Sequence, residues 1–137
     1  MMQMVTSFPG GARVDVAFGP FVVRTDQPVH AGGDGSAPTP FGTFLATIGA
    51  CAGTYALAFC RKRGLPVEDM RIVQTMDTDR ATGMVTAVHL DIQLPPQFPE
   101  KYRVPLIRAA EQCTIRKHFD APPRIVISTQ PEARKAG

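Results

Sequence analysis

The chain has 137 residues, 44% hydrophobic and 20% charged, enough for one domain around one core, so residues 1–137 are read as a single domain. Fifteen Lys and Arg against twelve Asp and Glu leave a net charge of only +3. The basic residues cluster once, at Arg61-Lys62-Arg63, with no aromatic set beside them, which argues against a nucleic-acid partner.

Residues 2–7 and 13–18 read as strands, the second through the alternation Val14, Val16, Phe18. Pro9-Gly10-Gly11 is the turn between them, and Gly19-Pro20 leads to a third strand, Phe21 to Arg24. Residues 25–39 form a loop rich in Gly, Pro, Asp and Ser. Thr39 suits a helix cap and Pro40 the first helical position. The helix runs to about Arg63, where Gly64 and Pro66 end it. Val67 to Asp77 and Met84 to Leu94 read as a β-hairpin. Val88, Leu90 and Ile92 share one face of its second arm, and His89, Asp91 and Gln93 the other. A second helix is expected over Lys101 to Arg116, with Pro105 near its first turn. A last strand is expected at Arg124 to Ser128, and the tail beyond Pro131 should fray. The order β-β-β-α-β-β-α-β is α+β, with mainly antiparallel sheets around a buried central helix.

That helix has a competing reading. No residue from Phe41 to Cys60 is charged, and a basic trio follows, as at the end of a membrane span. Thirteen of those twenty residues are Gly, Ala, Thr or Cys, however, and only seven are large and apolar. Small residues gain little from lipid but let other backbones approach closely, so a core helix is preferred and no membrane partner is expected. The stripe Gly42, Ala46, Gly49, Gly53 implies close packing on both sides of the helix, and hence a two-fold homodimer sharing one core.

Three cysteines without framework spacing fit a reducing compartment rather than a secreted disulfide scaffold. The N-terminal residues show no signal peptide, so a cytoplasmic location is expected. Cys51 and Cys60 are nine residues apart in one helix, on opposite sides and about 13 Å apart along its axis. A disulfide needs Cα atoms within about 7 Å, so these two do not pair. Cys60 continues the small-residue stripe and reads as a buried hydrophobe. Cys51 lies on the other stripe, with Phe44, Ile48 and Tyr55, and Cys113 is its remaining intrachain partner.

Reactivity requires a thiolate, and burial alone raises a thiol pKa. Cys51 is mid-helix, beyond reach of its own helix N-terminus, so the expected activator is a cation. Arg13, Arg24 and Arg116 are the candidates by placement. Zinc ligation by Cys113, His118 and Cys51 has a usable Cys–His spacing but no paired C-x-x-C. A Cys–His hydrolase using Cys51 with His118 or His30 lacks a Gly-rich nucleophile turn. Neither a metal nor a cofactor is expected.

Pro38-Thr39-Pro40 leading to Gly49-Ala50-Cys51, the later Gln112-Cys113-Thr114, and the order of elements resemble the OsmC/Ohr family of osmotically induced and organic-hydroperoxide-resistance proteins. The resemblance spans nearly the whole chain. It implies an intertwined dimer with both active sites at the interface. It also implies that Cys51 attacks an organic hydroperoxide, Cys113 resolves the product as a disulfide, and a dithiol, lipoyl in the best-known members, recycles it. Arg13, in Gly10-Gly11-Ala12-Arg13, is the nearest match to that family's activating arginine. Two departures stand out. The family's glutamate, nine or ten residues before the first cysteine, falls on Gly42 or Phe41 here. Proline usually follows the second cysteine in its efficient peroxidases, and here that residue is Thr114. These place the chain nearer the divergent OsmC-like branch. The alternative is an OsmC-fold protein that binds a small apolar ligand or partner.

Overall fold

Alternating apolar residues and glycine turns build the first sheet of the computed structural model, which describes residues 2–130. Strands β1 (Val5–Gly10), β2 (Arg13–Phe18) and β3 (Phe21–Thr25) pair antiparallel in that order. Val16 sits opposite Val23 and Phe18 opposite Phe21, with the two Phe rings 5.8 Å apart. The expected Pro9-Gly10-Gly11 turn is shorter than its composition suggests. β1 continues through Gly10, with a register shift between Ser7 and Gly10. Pro9 has no N–H for the ladder, which favours an irregularity at this point.

The loop after β3 is organised by Asp26, which is 1% exposed. Its carboxylate accepts from the N–H groups of Gln27 (2.7 Å), Asp34 (3.3 Å) and Ser36 (3.0 Å), and from the Ser36 hydroxyl (2.6 Å). The Ser36 hydroxyl and then its N–H do most to hold the Asp26 pKa down, at about 2. The loop delivers Thr39, whose Oγ1 accepts from the Gly42 N–H at 3.0 Å and caps helix α1 (Pro40–Lys62). Gly64, at φ +63°, turns the chain out of the helix as its position predicts.

β4 (Arg71–Thr78) and β5 (Val85–Gln93) form the second, two-stranded antiparallel sheet. β4 starts later than the apolar pattern suggests, because Val67–Met70 is a turn closed by a 3.1 Å backbone bond. The small-residue stripe of α1 packs against β4. A Cβ on Gly49 would meet Gln74 Oε1 at 2.9 Å, and one on Gly53 would meet Ile72 at 3.7 Å. Gln74 donates to the Leu45 carbonyl at 3.0 Å. α1 is long and apolar enough to cross a membrane by length and composition, but here its glycine face seats a sheet.

The last third departs from expectation in two places. The helix expected over 101–116 is two helices, α2 (Arg103–Ala110) and α3 (Thr114–Asp120), broken at Glu111–Cys113. Cys113 therefore stands just before a helix instead of within one. The strand expected at 124–128 joins no sheet among the described residues, and Ile125, Val126 and Ile127 are exposed. A strand needs a neighbouring edge, and neither described sheet takes this segment as a strand.

The core gathers Ala56, Phe59 and Cys60 of α1 with Phe98 and Leu106. Cys60 is 0% exposed, as its stripe predicts. The rest of α1 is less covered than a buried central helix should be. Phe41 and Phe44 near its start are exposed, because the β1–β3 sheet makes no substantial contact with the helix.

Candidate functional site

Cys51 sits half-buried on the face of α1 toward α3. Its sulfur lies beside the buried Cys113 thiol, near enough for the two to shift each other's ionisation. Cys113 stands just before α3 with an extended backbone (φ −49°, ψ 128°) and makes no side-chain cap of its own. The first N–H groups of a helix lack intrahelical partners. Those at the start of α3 lie near both sulfurs, Ile115 and Thr114 beside Cys51 and Arg116 and Ile115 beside Cys113.

These donors split the two thiols. The Cys113 thiol and the N–H of Ile115, with a smaller contribution from Thr114, hold the Cys51 pKa below its ordinary value despite burial. Cys113 moves the opposite way, pushed up by burial first and then by Cys51 beside it. Burial also pushes Cys60 up, against a weaker pull from Arg63. Cys51 is thus the thiol poised to ionise, with Cys113 beside it as a protonated donor. Limited alkylation at neutral pH, read by peptide mass mapping, should modify Cys51 first, with Cys60 and Cys113 lagging.

Among the described residues no arginine contributes to this shift within one chain. Arg13 donates from Nε to the Gly10 carbonyl at 3.3 Å, on the β1–β2 hairpin. Arg24 lies on β3 opposite Asp15. Arg116 donates to the Glu111 carbonyl at 3.3 Å and lines the opening beside Cys113. The expectation that a cation must lower the Cys51 pKa overlooked a second helix start. The donors are main-chain N–H groups, and every residue but proline carries one, so residue identity does not mark them. Tyr55, on the same stripe as Cys51, shares a 2.8 Å hydrogen bond between its hydroxyl and that of Thr114. Among the described residues no three His, Cys, Asp or Glu side chains converge, and His118 Nδ1 faces the Thr114 carbonyl at 2.7 Å.

Cys113 and Arg116 also border an apolar trough of about 1240 Å³ between α1, the β4–β5 sheet, α2 and α3. Phe44 and Ile48 line it from α1, Leu90 and Ile92 from β5, and Leu106 from α2. Val88, Leu90 and Ile92 all face this side, and His89 pairs with Asp77 at 2.8 Å on the opposite face.

The OsmC-like protein family matches residues 33–128, a span that holds both cysteines. The chain belongs to that family. Solved structures agree. An osmotic-stress-induced and detoxification-response protein from Psychrobacter arcticus superposes with a TM-score of 0.72 at 19% identity, over 85% of this chain and 87% of that one. An organic hydroperoxide resistance protein from Vibrio cholerae, with captopril bound in one of its active sites, gives 0.57 at 17% identity, over 88% and 85%. The organic hydroperoxide resistance protein OhrB of Bacillus subtilis gives 0.56 at 16%, over 89% and 92%. No curated protein matches the sequence significantly. At these identities the structural likenesses establish the OsmC-like fold.

Proposed function

We propose that this OsmC-like protein reduces organic hydroperoxides through a two-cysteine cycle. The observation that carries the reading is the adjacency of Cys51 and Cys113 with their pKa values pushed apart. The Cys51 thiolate attacks the distal peroxide oxygen. The O–O bond breaks, the alkoxide takes a proton and leaves as alcohol, and Cys51 is left as a sulfenic acid. The Cys113 sulfur then attacks Cys51, the S–S bond forms, and water leaves. An external dithiol, of lipoyl type in the family's pattern, takes up the disulfide by exchange. Membership in a family with hydroperoxide-resistance proteins supports this reading. So does an apolar trough that suits an organic peroxide better than hydrogen peroxide.

The test is direct. One equivalent of an alkyl hydroperoxide should convert the reduced protein to a Cys51–Cys113 disulfide and leave Cys60 free, as read by non-reducing peptide mapping. Equal loss of thiol at Cys60, or no Cys51–Cys113 link, would reject the cycle. The size of the trough favours a second reading, an apolar-ligand site with incidental thiols. An unreactive Cys51 would bring that reading forward, and the absence of a carboxylate at Phe41 or Gly42 is consistent with it.

The working unit in this proposal is a two-fold homodimer in the cytoplasm, without membrane or nucleic acid as partner. Phe41 and Phe44 lie exposed along an open helix, and the apolar 124–128 segment pairs with no strand among the described residues. A second copy is the natural cover for both. Arg13 would then act from the β1–β3 sheet of one copy on Cys51 of the other, and Arg13→Ala would slow peroxide turnover. Sedimentation at micromolar concentration should show a dimer. Phe44→Glu should shift it toward monomer, because a carboxylate would be buried unpaired.

A further inference from the structure

We propose that Gln74 is a positioning residue: its side-chain bond to the Leu45 carbonyl, admitted by Gly49, holds α1 at a fixed distance from the β4–β5 sheet and so sets the size of the organic group that the trough accepts. Its bearing on hydroperoxide selectivity rests on the peroxidase reading above. Its control of the trough does not.

Gln74 stands on an otherwise apolar face. Ile72 and Met76 are its neighbours on that side of β4, and Leu90 is directly opposite on β5. An amide in such a place costs free energy unless it finds a partner. It finds one in the backbone of α1. Nε2 donates to the Leu45 carbonyl at 3.0 Å, a partly buried bond across 29 residues of sequence. In a helix that carbonyl already accepts from the N–H four residues on, but its oxygen has two lone pairs. The residue four on is Gly49. Because Gly49 has no side chain, the amide comes so close that a Cβ there would meet Oε1 at 2.9 Å. Among the described residues, Oε1 is the one atom of another element within 4 Å of that point.

Leu45, Gly49 and Gly53 are spaced by four and lie along one line of α1. An added Cβ on Gly53 would touch Ile72 at 3.7 Å, so this line is the seam where the helix meets β4. Ile48 and Ala52, beside the seam, form the helix wall of the trough, and Ile72, Leu90 and Ile92 form the sheet wall. The spacing at the seam therefore decides how far apart the two walls stand. The Gln74 bond is the polar tie along it, and it is directional where the glycine contacts are not.

The experiment measures what the trough accepts in the full-length reduced protein and in Gln74→Met, Gln74→Ala, Gly49→Ala and the Gly49→Ala/Gln74→Ala pair. Gln74→Met keeps the length and loses the donor. Gly49→Ala pushes the amide off the carbonyl from the helix side. The probes are benzyl alcohol and the bulkier 2-naphthalenemethanol, with Kd values read from the methyl NMR shifts of Leu45, Ile48 and Ile72. The naphthyl-over-benzyl affinity ratio should rise about fivefold in Gln74→Met and in Gly49→Ala, the scale of one lost hydrogen bond. Gln74→Ala should raise it as much. Adding Gly49→Ala to Gln74→Ala should change nothing further, because the new methyl no longer meets the amide. A ratio unmoved in both Gln74→Met and Gly49→Ala would overturn the proposal. So would a Gly49→Ala effect that is the same with and without Gln74, or a wild type whose trough methyls respond to neither alcohol. A merely structural role would lower the melting temperature and leave the ratio in place. The ratio of kcat/KM for cumene hydroperoxide over tert-butyl hydroperoxide, measured in parallel, should rise in the same variants. A wild type that consumes neither peroxide rejects the peroxidase reading, while the alcohol titrations still decide the role of Gln74.

Discussion

Cys51→Ser should abolish hydroperoxide consumption, bringing the rate down to that of buffer. The reason is the division of labour between the thiols. Only Cys51 has its pKa drawn down, and a serine hydroxyl in its place is neither ionised nor oxidised by peroxide. Cys113→Ser should behave differently. It leaves the attacking sulfur in place but removes the group that displaces water from the sulfenic acid. One equivalent of peroxide should still be consumed, turnover should stop, and a dimedone adduct should appear on Cys51. Cys60→Ser should leave the chemistry intact, because that thiol is sealed in the core and pushed toward its protonated form. Coupled consumption of an alkyl hydroperoxide with a dithiol reductant, together with adduct mapping, distinguishes the three. Full turnover by Cys113→Ser would mean that an external thiol resolves Cys51 directly.

Gly33→Ala should be among the most disruptive single-methyl additions in the chain. A Cβ there would lie 1.9 Å from the Gln27 carbonyl oxygen and 2.7 Å from Asp26 Oδ1. The obstacle is backbone, which cannot rotate away, so the loop must open. Opening it breaks up the donor set around Asp26 and frees the segment that leads into the Thr39 cap. A loss of roughly 2–4 kcal/mol is expected, within the range for overpacking combined with a broken polar network. Thermal unfolding of wild type and variant measures it. Asp26 adds a pH signature. Its folded pKa is about 2 against 3.8 for the free group, so its contribution is fully present above pH 3.8 and is lost as pH falls toward 2. Asp26→Asn should therefore flatten the fall in stability over that acid window. A wild type and an Asp26→Asn variant with the same acid profile would show that other carboxylates govern it.

The local architecture was legible because local chemistry dictates it. Thr39-Pro40 and Gly64 bound α1, since a cap, a donor-free first position and a left-handed residue act within a turn of themselves. The alternation in Val88, Leu90 and Ile92 selects the inner face of β5, because a strand can bury only every second side chain. Cys60 was readable as core and Cys51 as lying on another face through helix geometry alone. The break between α2 and α3 was not. Residues 111–113 contain no proline or glycine, and helix continues to be compatible with each of them. Nor was the unpaired state of residues 124–128, because strand propensity says nothing about whether an edge lies nearby.

The functional centre divides in the same way. The sequence by itself determined that two thiols sit on separate segments, one of them mid-helix, and that Cys51 needs help to ionise. Only the tertiary structure decided what gives that help. The start of α3, tied to α1 by the Tyr55–Thr114 hydroxyl bond, is set beside Cys51 with its main-chain N–H groups nearby. Main-chain donors carry no residue signature, and a contact spanning 59 residues has no local pattern. The polarity of the Cys51–Cys113 pair therefore emerges only when the chain has folded and one helix start has been set against another helix's side.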